Sequence, residues 1–127
     1  MSRTQLTELG WDGDAVAAQV RARRWRVVGR AVILHRGPMT HELRRRVAVA
    51  HAGRHAALAA WSALEELGLR GWAAPEVHVL VPHGARVHAL PWMTVHVSRR
   101  FDPQRHVQRN SPRRTDAARS AIDAAAW

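Results

Sequence analysis

Apolar positions near the N-terminus recur at helical spacing. Leu6 and Leu9 share one side of a short segment, and Val16 and Val20, four apart, share one side of the next. The pattern predicts a helix over 2–9, capped by Ser2 and ended by Gly10, with Trp11 packing the turn that follows. A second helix is predicted from a cap at Asp12 or Asp14 to about Arg23. The period then changes. Residues 25–28 and 31–34 read as two short strands, and Gly29-Arg30 between them is tight enough for a hairpin turn. His35-Arg36-Gly37-Pro38 breaks both helix and strand and marks a joint.

Beyond the joint, Thr40 is placed to cap a helix running to about Ala52. Leu43, Val47 and Ala50 lie on one face of it, and Gly53 stops it. A further helix is predicted over 55–67, burying Ala57, Leu58, Trp61 and Leu64 and ending at Gly68. Residues 76–81 and 93–98 alternate valine with other residues at period two. They read as two strands joined by a long loop that holds Pro82, Gly84 and Pro91. Ser111-Pro112 precedes a last helix, capped by Thr115 and reaching Ala126, with Arg119 and Asp123 spaced for an i, i+4 pair. The order helix, turn, helix, hairpin predicts an α+β chain. Its expected parts are a small winged helix-turn-helix over 1–36 and a mostly helical domain with a two-stranded sheet over 37–127.

Composition thins the expected core. Hydrophobic residues make up 46%, but with one Phe and no Tyr the bulky burial falls to six Trp and the leucines. Charge is the stronger signal. Between Arg21 and Arg54 ten arginines face one acid, Glu42, so this stretch carries +9 of the chain's net +10. All twenty basic residues are Arg, which together with abundant Ala fits a GC-rich coding bias. Such bias scatters arginines, however, whereas clustering points to a surface for phosphate. The absence of Cys excludes disulfides, cysteine zinc sites and thiol catalysis. Residues 1–10 contain no apolar run resembling a signal peptide, and no stretch reaches the roughly twenty apolar residues of a membrane span. The expected location is cytoplasmic, with no membrane partner.

Catalytic chemistry finds little to use. A nuclease needs clustered carboxylates for magnesium, usually beside a lysine. This chain has no Lys, and Glu65-Glu66, Glu76, Asp102 and Asp116 form no paired motif. Ser62 and Ser98 lack the glycines of a nucleophile elbow. His51 and His55 have the spacing of paired metal ligands, but Gly53 breaks the helix between them and no nearby acid completes a set. The chain is therefore expected to be non-catalytic, with no cofactor and no metal. His78 and His96, each mid-strand between two valines, are expected to share a solvent face as ordinary surface residues. Trp61 reads as core and Trp25 as the cover of Val16 and Val20, while Trp72 and Trp92 form a candidate partner-binding patch. Arg44, Arg45 and Arg46 point in three directions, so at most two serve one surface and solubility explains them equally well.

Several phrases occur in a telling order. They are Arg24-Trp25-Arg26 through Val28-Gly29-Arg30-Ala31-Val32, then Ala63-Leu64 with Leu67-Gly68-Leu69-Arg70-Gly71-Trp72, then Val77-His78-Val79-Leu80-Val81-Pro82. Val95-His96-Val97-Ser98-Arg99-Arg100 follows, and last Ser111-Pro112-Arg113-Arg114-Thr115 with Arg119, Asp123 and Ala124. This series resembles the N-terminal region of actinobacterial AbiEi-type antitoxin and transcriptional-regulator proteins of type IV toxin-antitoxin systems. The resemblance covers most of the chain. It implies a winged helix-turn-helix that binds promoter DNA, an autoregulatory role, and a second domain that contacts a cognate toxin or a nuclease-like protein. The implied contacts with double-stranded DNA, mainly with its phosphate backbone, come from Gln19, Arg21, Arg23, Arg24, Arg26 and Arg30. In many similar proteins a restriction-endonuclease-like domain follows, and this chain stops at Trp127, where that domain would begin. The alternative expectations are a protein-interaction module or the N-terminal targeting region of a longer endonuclease-like protein.

The chain also departs from that pattern. The wing in such proteins often reads Arg-Gly-Val-Tyr, and here Ala31 and Ile33 replace the Gly and the Tyr after Arg30. The outward side of the second helix shows Ala15, Ala18 and Ala22, with Asp14 near its start. Alanine touches only a thymine methyl, and acids meet phosphate unfavourably. Backbone contact is expected to dominate over base reading.

Overall fold

The structure, a computed structural model, describes residues 1–68, 76–103, 107–108 and 112–126. Leu69 to Trp72, Ser111 and Trp127 lie outside the described residues, and with them the Trp72 half of the expected partner patch. α1 (Arg3–Glu8) opens with a capping box in which Ser2 Oγ accepts from the Gln5 N–H and Gln5 Oε1 accepts from the Ser2 N–H. α2 (Gly13–Arg21) starts at Asp12, whose Oδ1 accepts from the Ala15 N–H at 2.7 Å. β1 (Arg26–Val28) and β2 (Ala31–Ile33) pair antiparallel across Gly29-Arg30, with Arg26 opposite Ile33 and Val28 opposite Ala31. Leu6, Val16 and Val32 are buried together beneath Val20 and Trp25. Trp25 also leans on Trp11, with ring centroids 4.8 Å apart.

β2 ties this unit to the rest of the chain. Val32 enters the first cluster, while Ala31 and Ile33 pack with Val47 of α3 (His41–Ala52), the alternation of a strand covered on both faces. The N-terminal ammonium donates to the Val32 carbonyl at 2.9 Å, and burial of that amine lowers its pKa. α3 runs between the cap and stop that its sequence predicts. Thr40 Oγ1 accepts from the Leu43 N–H, and Gly53 follows the last turn at a φ of 112°.

The α+β class holds, but the second part is built around a five-stranded sheet of order β5-β4-β3-β7-β6 rather than two strands in a helical majority. The helix expected over 55–67 is divided into β3 (Ala57–Leu58) and α4 (Ala60–Glu66). β3 pairs antiparallel with β4 (Val77–Pro82), Ala57 opposite Leu80, and parallel with β7 (Arg114–Thr115), Leu58 opposite Arg114. Ala56, Ala57, Leu58, Ala59 and Ala60 are all buried, and at the centre of a sheet the pairing overrides alanine's helix propensity. Ala60, at a φ of 49°, turns the chain into α4. β6 (Val107–Gln108) pairs antiparallel with β7 at the sheet's edge.

β4 and β5 (Met93–Ser98) run parallel, Val77 opposite Met93 and Val81 opposite Val97. Val77, Val79 and Val81 pack with Met93 and with Ala48 and Ala52 of α3, while Leu80 joins Ala57, Ala59 and Phe101 in a separate cluster. β4 therefore has apolar cover on both faces, as its nearly unbroken apolar run requires. α5 (Ala117–Ala126) packs on α4. Its first turn is capped by Asp116 rather than Thr115: Asp116 Oδ1 accepts from the Arg119 N–H at 2.8 Å. Thr115 ends β7 instead, buried with its hydroxyl 2.6 Å from Ser120 Oγ. Arg119 Nε and Asp123 Oδ2 meet at 2.9 Å, as their spacing predicts.

Candidate nucleic-acid interface

The arginines expected to contact DNA begin where α2 ends. Arg21 is its last residue, Ala22 its C-cap, and Arg23 adopts the left-handed conformation at a φ of 58°. The Arg23 N–H donates to the Val20 carbonyl and the Arg24 N–H to the Gln19 carbonyl at 3.1 Å. Together these bonds make a Schellman stop, a position where glycine is usual. Arg21, Arg23 and Arg24 are all exposed on this tight turn, and the packing of Trp25 against Trp11 anchors its far side. Gln19 is half-buried, and its carbonyl is a main acceptor of the turn.

Two of the six residues do something else. Arg26 is half-buried, and its Nη2 donates to the Gly37 carbonyl at 2.6 Å, so the side chain fastens β1 to the joint instead of standing free for phosphate. Arg30 is exposed but lies at the other end of β1, with five residues between it and Arg24 of the α2 turn.

The hairpin tip that carries Arg30 is docked rather than free. The Arg30 N–H donates to His51 Nδ1 at 2.9 Å, and His51 Nε2 lies 2.6 Å from the His88 carbonyl in the segment between β4 and β5. Those partners set the tautomer: Nδ1 accepts, so Nε2 carries the hydrogen and donates. Gly29 passes so close that a Cβ there would overlap His51 Nδ1 and stand 2.7 Å from Cε1. His51, buried at the end of α3, is thus a connector between the hairpin and the sheet rather than half of a metal pair, and His55 is exposed beyond the helix end.

The remaining candidates resolve into packing. Arg45, with only 11% of its side chain exposed, meets Glu65 Oε2 at 3.1 Å and Glu66 Oε2 at 3.7 Å, and His41 Nε2 also reaches Glu65 at 3.0 Å. Arg45 is therefore a bolt between α3 and α4, not a solvating charge. Arg46 pairs with Glu42 on the exposed side. Arg44 lies over the Trp92 ring, 5.6 Å from its centroid, while Trp92 packs against both the β2–α3 cluster and the main core. Trp92 is accordingly part of the junction rather than of a partner-binding patch. Trp61, read as core, is half-buried.

His78 and His96 do meet, with His78 Nδ1 3.0 Å from His96 Nε2 and the rings stacked at 24°. They are half-buried instead of lying on a solvent face, and Ser62 of α4 accepts the His78 backbone N–H. Burial lowers both pKa values. Glu76 and Glu65 oppose the shift at His78, while at His96 the neighbouring His78 adds to it and Asp123 opposes it. Among the described residues no three side chains of metal-ligating type converge, and no helix is long and apolar enough to cross a membrane.

The structure thus brings Arg21, Arg23 and Arg24 together, sets Arg30 apart at the tip, and withdraws Arg26. Reasoning from sequence missed His51 as the residue that seats the tip. Its only local sign is a glycine before an arginine in the hairpin turn, 22 positions away. No protein-family model matches the chain, and no curated protein matches it.

Proposed function

We propose that the chain is a non-catalytic, cytoplasmic regulator of the AbiEi antitoxin type whose N-terminal unit, α1, α2 and the β1–β2 hairpin, acts as a winged helix-turn-helix on duplex DNA. The observation that carries this reading is the exposed trio Arg21, Arg23 and Arg24 on a rigid turn. Of the three acids of this unit, Asp12 and Asp14 lie at the opposite end of a nine-residue helix, about 10 Å away, and Glu8 ends α1. A compact cationic turn beside a helix is the footprint expected of phosphate contact. The exposed face of α2 offers Ala17, Ala18 and Ala22, none of which reads a base edge beyond a thymine methyl, so affinity comes mainly from the backbone.

A second reading has its own support. The same alanine face, with Asp12 and Asp14 at the helix start, suits a module that binds a cognate toxin or a nuclease-like protein instead of an operator. Fluorescence anisotropy separates the two. The full chain is titrated with duplex from its own upstream region and with a scrambled duplex of equal length, at low and near-physiological salt. For the regulator, binding prefers the native duplex and weakens with salt at a slope near −3 to −4, about −0.9 for each arginine-neutralised phosphate. Equal, weak binding to both duplexes supports the partner module and rejects the regulator.

A further inference from the structure

We infer that the phosphate-contacting surface continues past the hairpin onto the second part of the chain, where Arg30, Arg54 and Arg86 with His88 form a second basic ridge distinct from the Arg21–Arg24 turn. This rests on the DNA-binding reading above, which already includes Arg30, and extends it to Arg54, Arg86 and His88.

The ridge is assembled by His51. Its ring stands between the Arg30 N–H at 2.9 Å and the His88 carbonyl at 2.6 Å, so the two backbones are held one imidazole apart. Glycine at 29 lets the tip approach the same ring, where a Cβ would overlap it. Arg54 follows the α3 stop at Gly53, three residues beyond His51, and Arg86 lies two residues before His88. Arg30, Arg54, Arg86 and His88 are all exposed.

Their charge is not neutralised locally. Among the described residues no ion pair involves Arg30, Arg54 or Arg86. Six of the seven carboxylates of the second part have partners away from the ridge. Glu42 is near the far end of α3 with Arg46, Glu65 and Glu66 hold Arg45, Glu76 accepts from Thr94 Oγ1, and Asp116 and Asp123 serve α5. Surface arginines gathered without acids create a field that attracts a polyanion. The partner that fits is a duplex rather than a single phosphate. The ridge and the α2 turn stand at opposite ends of β1, so one phosphate cannot touch both, whereas the phosphates repeated along a duplex can.

The test uses the full chain and a short labelled duplex of mixed sequence, with binding constants measured from low to near-physiological salt. Arg54→Ala and Arg86→Ala each reduce the magnitude of the log K against log [salt] slope by about 0.9, and together by about 1.8, while leaving the melting temperature unchanged. Arg46→Ala, which removes the same charge from a residue already paired with Glu42, leaves the slope unaltered. A wild-type slope in the Arg54→Ala, Arg86→Ala double variant overturns the ridge. If Arg21→Ala with Arg24→Ala still lowers the slope, the DNA-binding reading survives that result. Wild-type protein that shows no salt-sensitive binding overturns both.

Discussion

Replacing Gly29 with alanine tests how firmly the hairpin is seated on α3. Two costs arise at once. The backbone at Gly29 has a φ of 57°, where an L-residue costs roughly 1–2 kcal/mol. The new methyl would also overlap His51 Nδ1, so the ring must move and its bonds to the Arg30 N–H and the His88 carbonyl weaken, each worth about 0.5–1.5 kcal/mol net. The sum is about 2–5 kcal/mol, a large share of the roughly 5–15 kcal/mol that holds a domain together. At about 4 °C per kcal/mol for a chain of this size, the melting temperature falls by roughly 8–20 °C. Urea denaturation followed by circular dichroism measures the loss, and a double-mutant cycle identifies its source. In a His51→Ala background the obstructing ring is gone, so Gly29→Ala costs only the backbone share, about 1–2 kcal/mol. Equal costs in the two backgrounds, or a wild-type midpoint for Gly29→Ala, would refute the docking of the tip on His51.

Three further outcomes follow from the packing of α2, α3 and the sheet. Arg23→Gly relieves the left-handed strain at the α2 stop, which after the entropy cost of glycine leaves a gain of roughly 0.5–1 kcal/mol. The same variant shortens the salt slope of duplex binding by about one, and a stability loss in urea would contradict the Schellman assignment. Arg45→Ala strands Glu65 and Glu66 in a half-dry site and costs about 3 kcal/mol, whereas Arg46→Ala stays within about 0.5 kcal/mol; similar melting temperatures for the two variants would show that the α3–α4 bolt is not there. His78 and His96 have pKa values held below the ordinary 6.5 by burial, so the unfolded chain takes up protons first as the solution is acidified. Their stabilisation is complete above about pH 6.5 and declines below it. Urea midpoints between neutral and mildly acidic pH should therefore fall more steeply for wild type than for a His78→Gln, His96→Gln variant, and parallel curves would remove the pair from the account.

Much of the local structure is legible in the sequence because its causes lie within a few residues of each other. Ser2, Asp12, and Thr40 with Gly53 mark helix ends through bonds to adjacent backbone, and valine alternation marks β4 and β5. The exposed arginines of the α2 turn are likewise readable, since a charge cluster beside a helix end needs no distant partner. Tertiary structure decided the rest. β3, β6 and β7 are two residues long, too short for any period, and exist only because other strands lie beside them. Ala57-Leu58 is helical by propensity and a central strand by pairing, because burial between β4 and β7 outweighs a preference of a few tenths of a kcal/mol per residue. Arg26 and Arg45 look alike in sequence to the exposed arginines around them, yet one is fixed by the carbonyl of Gly37 and the other by two glutamates on another helix. The sequence by itself determined the starts of the first three helices, the hairpin and the placement of charge. Only the folded chain decided which arginines remain free, because a charge is neutralised by what packs against it and not by its neighbours along the chain.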